Sequence, residues 1–586
     1  MNIGAKPKRM EREKPANASC VMETPAETIL YRLTALGVDY IFINAGTDYP
    51  PMIEGMSRDK IEAIKMPEVV TCPHENAAMG MAQGYYFATG KSQAVMTHTN
   101  VGLANAICGL INANSDNVPT LLFSGRTPIT EQGRLGSRDT PIGYGQEMRD
   151  QAALVRESVK WDFELREPEQ IATLIDRAYA IANSLPKGPV YLSLPREPLC
   201  EPYECVGPAA APIIHATSYA PHPDTVATAV ELIAKAKKPV IFSQRGAGSA
   251  EGFRLLSKLA NSWGIPVVEY WAIRVAVSDN DPMAAGPDPA PWIGDADVII
   301  AIDSLTPWMP LFARPDENCP VIQIGPDPLF EKNPVRSFRA DVSLCGEVSV
   351  GLKALIQALE GKSGASVQTE VTARHSEVTR KNAEAKTKRI ALAQAGSGKP
   401  ISKPWLSHCM GQIAEKYDGK IVSELVTLKE FTGLTRPDSY YQEALSGGLG
   451  EAFPIALGMQ LADRDRLIIA AMGDGSYLFS NPIVCFEIAE TMKLPVLVVV
   501  GNNKKWNAVR MGTLGLYPHG YASKMNVMPA TELSDRPGPD FTKIAAAMNA
   551  YSSYVTDGQN LIKELEKAVE FIRREKRAAL VEVMIG

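Results

Sequence analysis

Three doubly wound α/β domains, each on a parallel sheet, are predicted for this chain. Short apolar runs bounded by Gly, Pro or polar turn residues alternate with stretches of helical periodicity along nearly its whole length. Strands alternating with helices in this way lie parallel, with helices on both faces of the sheet. With 586 residues, the chain exceeds a single core and points to about three or four domains.

At the amino end, residues 1–22 are polar, with Lys6, Lys8, Arg9, Arg12 and Lys14 among acids and prolines, and are expected to form a disordered tail. They lack the apolar core of a signal peptide and the acid-poor composition of a transit peptide. In residues 23–205, strands are predicted at 38–43, 94–97, 120–124 and 190–194, with helices such as 24–36 and 171–184 between them. Residues 206–223, rich in Ala, Pro and His, form a linker. A central domain, 224–360, repeats the alternation with strands at 238–243, 265–269, 296–302 and 321–324. The connector 361–402 carries a charged helical pattern over 367–394 and is expected to pack along the surface. The last domain, 403–586, has apolar runs at 467–472, 495–500 and 580–585.

Composition narrows the function classes. Hydrophobic content of 45% with 22% charged residues is ordinary for a globular enzyme. A net charge of −6 with pI ≈ 5.8 gives no footprint for nucleic acid or an anionic membrane. No apolar segment approaches the ~18 residues that span a bilayer. The nine cysteines are scattered, which fits a reducing cytoplasm.

The chemistry concentrates in residues 466–510. One apolar run ends on Gly473-Asp474-Gly475-Ser476, a helix is predicted over 482–492, and the next run ends on Gly501-Asn502-Asn503. This βαβ unit puts a carboxylate and an amide at the carboxyl ends of adjacent strands, where open parallel sheets bind ligands. The glycines allow backbone N–H groups to approach a phosphate. Asp474, Asn503 and the carbonyl of Lys505 suit Mg²⁺, which fills its octahedron with phosphate oxygens and water.

The conjunction resembles the diphosphate signature of thiamine diphosphate enzymes. The three-domain layout resembles their acetolactate synthase and benzoylformate decarboxylase branch, from about residue 23 to the end. That resemblance implies roles for particular residues. By it, Glu75, in Thr71-Cys72-Pro73-His74-Glu75, is the glutamate that activates the aminopyrimidine; the plainer reading is an acid in a helix first turn. The resemblance also implies that Gly447 and Leu449, in Ser446-Gly447-Gly448-Leu449-Gly450, hold that ring and force the bent cofactor shape, with core packing as the alternative for Leu449. It likewise implies that Thr427 contacts the diphosphate, as do Gly473, Asp474, Gly475, Ser476 and Asn503.

His98, in Thr97-His98-Thr99-Asn100, matches a benzoylformate decarboxylase histidine that faces the cofactor. It is a proton shuttle or a structural histidine. By the same match, Thr47 lies near the substrate carboxylate. The second decarboxylase histidine has no counterpart around residues 306–310. Ala508 and Gly512 are small pocket positions, and Arg510 and His519 are further candidates. The central loop Arg245-Gly246-Ala247-Gly248 is compatible with FAD or ADP but reads better as a structural turn. No lid extension follows the apolar run 580–585, which weighs against a CoA substrate.

The expected function is therefore Mg²⁺-dependent cleavage or formation of a C–C bond beside a carbonyl through an enamine, foremost as a 2-oxo acid decarboxylase. The alternatives are an acetolactate-synthase-like carboligase, a 2-hydroxyacyl-CoA lyase and a catalytically silent subunit of the same fold. Active sites are expected between subunits of a homodimer or homotetramer.

Overall fold

The computed structural model describes residues 21–205, 212–362, 364–525, 527–532 and 540–586. The predicted tail, as far as residue 20, and residues 206–211 of the predicted linker lie outside the described residues.

Three six-stranded parallel sheets are present. The first runs, edge to edge, Glu68–Thr71, Tyr40–Asn44, Gln93–Thr97, Thr120–Arg126, Val190–Pro195, Asp162–Glu164. The third has the same topology: Tyr440–Gln442, Lys420–Glu424, Ile468–Gly473, Leu497–Asn502, Ala579–Met584, Tyr551–Val555. Between them in chain order comes the sheet Ala284–Gly286, Val267–Val268, Pro239–Ser243, Val298–Ile302, Val321–Gly325, Val342–Cys345. Inner strands such as Gln93–Thr97 and Val298–Ile302 are buried along their whole length, because helices cover both faces.

In each sheet the chain order reverses beside the first strand, which opens a crevice at the strands' carboxyl ends. In the first sheet the crevice lies between Tyr40–Asn44 and Gln93–Thr97. In the third it lies between Lys420–Glu424 and Ile468–Gly473. Thr47, Asp48 and His98 follow the first pair of strands; Thr427 and Asp474 follow the second.

The outer domains of the chain meet through helices Glu75–Thr89 and Ala452–Ala462. Backbone lies on backbone there. A β-carbon on Gly84 would stand 1.9 Å from the Ile455 carbonyl oxygen, and one on Gly458 would stand 2.1 Å from that of Met81. Gly84→Ala is therefore expected to destabilise the fold by about 1–3 kcal/mol, the scale of an overpacked core. Urea unfolding would read this as a lower midpoint, and an unchanged midpoint would refute the close contact.

The connector forms a single helix, Ala365–Ala395. Val371 and Val378 enter the central core, and polar anchors do the rest. The Arg374 guanidinium donates to the carbonyls of Ala236, Trp263 and Gly264, and Asn382 donates to that of Pro282. A two-stranded antiparallel ribbon, Val21–Glu23 with Tyr203–Cys205, ties the ends of the first domain together.

Candidate active site

The first half-site is built at the crevice of the first sheet. Glu75 opens its helix, with His74 as N-cap accepting from the Asn76 amide. The Glu75 carboxylate is buried and bracketed by two side-chain amides: Asn44 Nδ2 donates to Oε1 at 3.0 Å and Asn105 Nδ2 to Oε2 at 3.1 Å. Gly102 leaves it room, since a β-carbon there would stand 2.8 Å from Oε1. Each oxygen keeps a lone pair for a further donor.

His98 is the N-cap of helix Thr99–Ser115, and its ring meets Asp48 Oδ1 at 2.6 Å through Nδ1 and the Gln146 amide at 3.0 Å through Nε2. The hydrogen bond to Asp48 raises its pKa above an ordinary histidine's. Burial opposes this, and the charges of Asp48 and Glu75 add to it. Beside the ring, the Thr99 hydroxyl and the Asn100 side-chain oxygen are buried without partners. Thr47 is exposed, and its carbonyl accepts from Arg196.

The second half-site lies at the crevice of the third sheet. Strand Ile468–Gly473 ends where helix Asp474–Phe479 begins, so Asp474 stands in a first turn. Its carboxylate accepts from the amides of Gly475 at 2.9 Å and Lys504 at 2.6 Å. Burial pushes this carboxyl above its usual range, against the pull of those amides. Asn502 is the last strand residue and donates to Glu582, which leaves Asn503 as the amide beyond the strand, with its Oδ1 on the Lys505 amide at 2.9 Å. Packing also requires glycine at 475: a β-carbon would lie 2.3 Å from the Trp506 ring.

A second cradle faces it. The Thr427 hydroxyl is buried without a partner. Glu424, which no local motif marks, is fully buried and takes the amides of Gly450, Glu451 and Ala452 at 2.6, 3.0 and 3.0 Å. It thereby ties the Gly447–Leu449 loop to the end of its own strand. From the first domain, Asn112 clamps the same loop, donating to the Gly448 carbonyl at 2.8 Å and accepting from the Gly448 amide at 3.1 Å. The one signal for Glu424 in the sequence is an acid at the end of an apolar run; that for Asn112 is an amide in a small-residue helix. Ser476 is buried beside Glu424.

These residues fit a diphosphate held through a divalent cation. The Thr427 hydroxyl has no hydrogen-bond partner, and the buried Asp474 carboxylate has backbone amides as its partners. One carboxylate, one amide and one carbonyl form the donor set of a cation that takes its remaining oxygens from phosphate and water. Among the described residues, no group of three or more His, Cys, Asp or Glu side chains could hold a metal without such help.

The structure does not bring every candidate together. Ala508 and Gly512 lie on the exposed face of helix Asn507–Leu516, which buries no residue within the chain, and His519 is exposed. Arg510 Nη1 is buried without a partner. Among the described residues, no hydrogen bond or ion pair joins Glu75 or His98 to Thr427, Leu449 or Asp474. In place of a second histidine, Trp308 packs against Phe242 and Phe338. The central loop borders a cavity of about 440 Å³, but Arg245 pairs with Asp303 and donates to the Ser115 carbonyl, and Ser249 caps the following helix. The Arg245 guanidinium ends and the Ser249 hydroxyl thus have structural partners, while Arg245 Nε has no hydrogen bond.

Two half-sites at the switch points of parallel sheets define the class of α/β proteins that bind ligands at the carboxyl ends of their strands. Comparison with known families makes the assignment specific: residues 23–154 match the N-terminal TPP binding domain of thiamine pyrophosphate enzymes, residues 226–355 their central domain and residues 423–583 their C-terminal TPP binding domain. The chain belongs to the thiamine pyrophosphate enzyme family.

Among its relatives, the acetolactate synthase isozyme 3 large subunit of Escherichia coli is 25% identical, over 96% of this chain and 95% of the relative. A sulfoacetaldehyde acetyltransferase of Castellaniella defragrans is 24% identical, over 96% and 93%. The fold is similar to that of a thiamine diphosphate-dependent 4-hydroxybenzoylformate decarboxylase of Rhodococcus jostii, with TM-score 0.74 and 21% identity over 96% of this chain and 99% of the other. No helix among the described residues is long and apolar enough to cross a membrane.

Proposed function

We propose that the chain is a thiamine diphosphate- and Mg²⁺-dependent 2-oxo acid decarboxylase. The carrying observation is His98, held by Asp48 at the same crevice as Glu75. In this reading Asp474, Asn503 and the Lys505 carbonyl hold the metal. Thr427, Gly473, Gly475 and Ser476 receive the diphosphate, and Gly447 and Leu449 receive the aminopyrimidine. Bound thiamine diphosphate supplies a nucleophilic carbon and an electron sink for a bond beside a carbonyl. Glu75 holds a proton against the aminopyrimidine, and His98 Nε2 delivers one to the carbon that has lost CO₂.

Two copies of the chain would complete each site. Helix Thr99–Ser115 carries His98 at its start, and Cys108 and Asn112, which touch the Leu449 loop, lie 10 and 14 residues further on. At 1.5 Å per residue that is about 15–20 Å. His98 and Leu449 of one chain are then too far apart to meet at one cofactor. The setting is a reducing cytoplasm, where buried thiols such as Cys72, Cys409 and Cys485 stay unpaired.

A carboligase is the second reading, favoured by the relatives named as acetolactate synthase and acetyltransferase. The aldehyde-to-acyloin ratio on the best 2-oxo acid separates the two. His98→Ala should slow aldehyde release by roughly 10²–10⁴-fold and shift the ratio toward acyloin. If neither rate nor ratio changes, His98 is structural and the decarboxylase reading falls.

A further inference from the structure

The ring of His98 is constrained from three directions. Gly46 lies against it so closely that a β-carbon would stand 2.0 Å from Nδ1. Asp48 Oδ1 faces Nδ1 at 2.6 Å, while Oδ2 takes the Thr99 amide at 3.0 Å. Asp48 is itself fixed from behind, because Gly125 vacates its space: a β-carbon there would lie 1.7 Å from Oδ2. The carboxylate is buried, and both its oxygens are engaged.

An ionised carboxylate only accepts, so the proton of a neutral ring belongs on Nδ1. The lone pair is then on Nε2, which meets the Gln146 side-chain amide at 3.0 Å. Gln146 is not on a loose loop. Its neighbour Glu147 accepts from Arg126 at 2.9 Å, from Thr127 at 3.1 Å and from Arg138. The other charged groups near the pair are Glu75, whose charge acts in the same sense as that of Asp48, and Arg196, which donates to the Thr47 carbonyl.

We propose that Asp48 is a positioning residue that fixes His98 in the Nδ1–H tautomer and presents Nε2, covered by the Gln146 amide, as the atom that exchanges a proton with the substrate carbon. This rests on the reading of His98 as the proton-transfer group. With the ring charged, Gln146 turns its side-chain oxygen to Nε2–H, and in the transfer that Nε2–H bond breaks as a C–H bond forms at the carbon that lost CO₂. The ring returns to neutral with Nδ1–H still on Asp48, and water restores the Nε2 proton. No other co-reactant is needed.

Asp48→Asn tests the assignment. The asparagine oxygen can keep the Thr99 amide, which turns its NH₂ toward Nδ1 and reverses the tautomer. Nitrogen NMR of the full chain labelled at its seven histidines, with His98 assigned by difference from His98→Ala, reads tautomer and titration midpoint without any turnover.

The wild type should show Nδ1–H and the variant Nε2–H, with the midpoint lower by on the order of one pH unit, the scale of a lost charge partner. Decarboxylation should fall by roughly 10²-fold, with the matching limb of the pH profile displaced the same way. An Nε2–H tautomer in the wild type, or an unmoved midpoint in the variant, overturns the assignment whatever the activity. The wild-type spectrum decides even if the variant does not fold. If tautomer and midpoint move as expected while both Asp48→Asn and His98→Ala turn over normally, what fails is the catalytic role given to His98.

Discussion

Asp474→Ala is expected to lose thiamine diphosphate while keeping its three sheets. The carboxylate is the single anionic donor proposed for the metal, and the metal is what would link the protein to the diphosphate. Removing a direct ligand should weaken Mg²⁺-dependent cofactor affinity by at least ~10²-fold, since even supporting residues around metals are worth 10- to 100-fold. The fold should survive. The substitution unpairs the amide of Gly475, at roughly 1–3 kcal/mol, while the amide of Lys504 keeps Asn502 Oδ1 at 2.9 Å.

Titration calorimetry with thiamine diphosphate and Mg²⁺, beside a far-ultraviolet spectrum, makes the measurement. Unchanged affinity in the variant would remove the site from Asp474. The pH dependence has a definite sign. Because burial raises this carboxyl, protonation competes with the metal from a higher pH than for an exposed aspartate, and wild-type affinity should fall as pH is lowered.

Glu75→Gln should separate binding from activation. The diphosphate half-site has its own residues, so cofactor affinity should change little. Exchange of the cofactor C2 proton should slow by roughly 10²–10⁴-fold, because an amide neither takes nor returns the proton that a carboxylate can. The local geometry adds a cost. Both oxygens of Glu75 accept from amide donors, Asn44 and Asn105, so a glutamine must point its own NH₂ at one of them. NMR of acid-quenched samples gives the exchange rate directly. Wild-type exchange in the variant would mean that another group activates the cofactor.

The strands that carry the site were legible because they are the most buried. Ile468–Gly473 and Leu497–Asn502 are continuous apolar runs between helices, and helix Pro482–Met492 lies where it was predicted. Three of the edge strands were not. Asp162–Glu164 is half-buried throughout, Tyr551–Val555 is buried only at its last residue, and Ala284–Gly286 has three residues, too few for a period to show.

The site divides in the same way. Asp474 and Asn503 stand beside glycines and strand ends, so local sequence exposes them. Asp48, Asn112, Glu424 and Gln146 act on residues between 26 and 336 positions away. Only the packed fold shows such pairings. Asp48 adjoins a predicted residue, Thr47, yet its partner lies across the crevice.

Backbone resting on backbone at Gly84 and Gly458 leaves no compressible layer between the helix that starts at Glu75 and the helix that follows Leu449. The two therefore behave as one strut. With sites shared between copies as proposed, each strut would reach two catalytic centres, its glutamate end in one and its leucine end in the other. A tilt imposed when one centre fills would then arrive at the second undamped. The two centres would load as a communicating pair, with a second cofactor affinity different from the first.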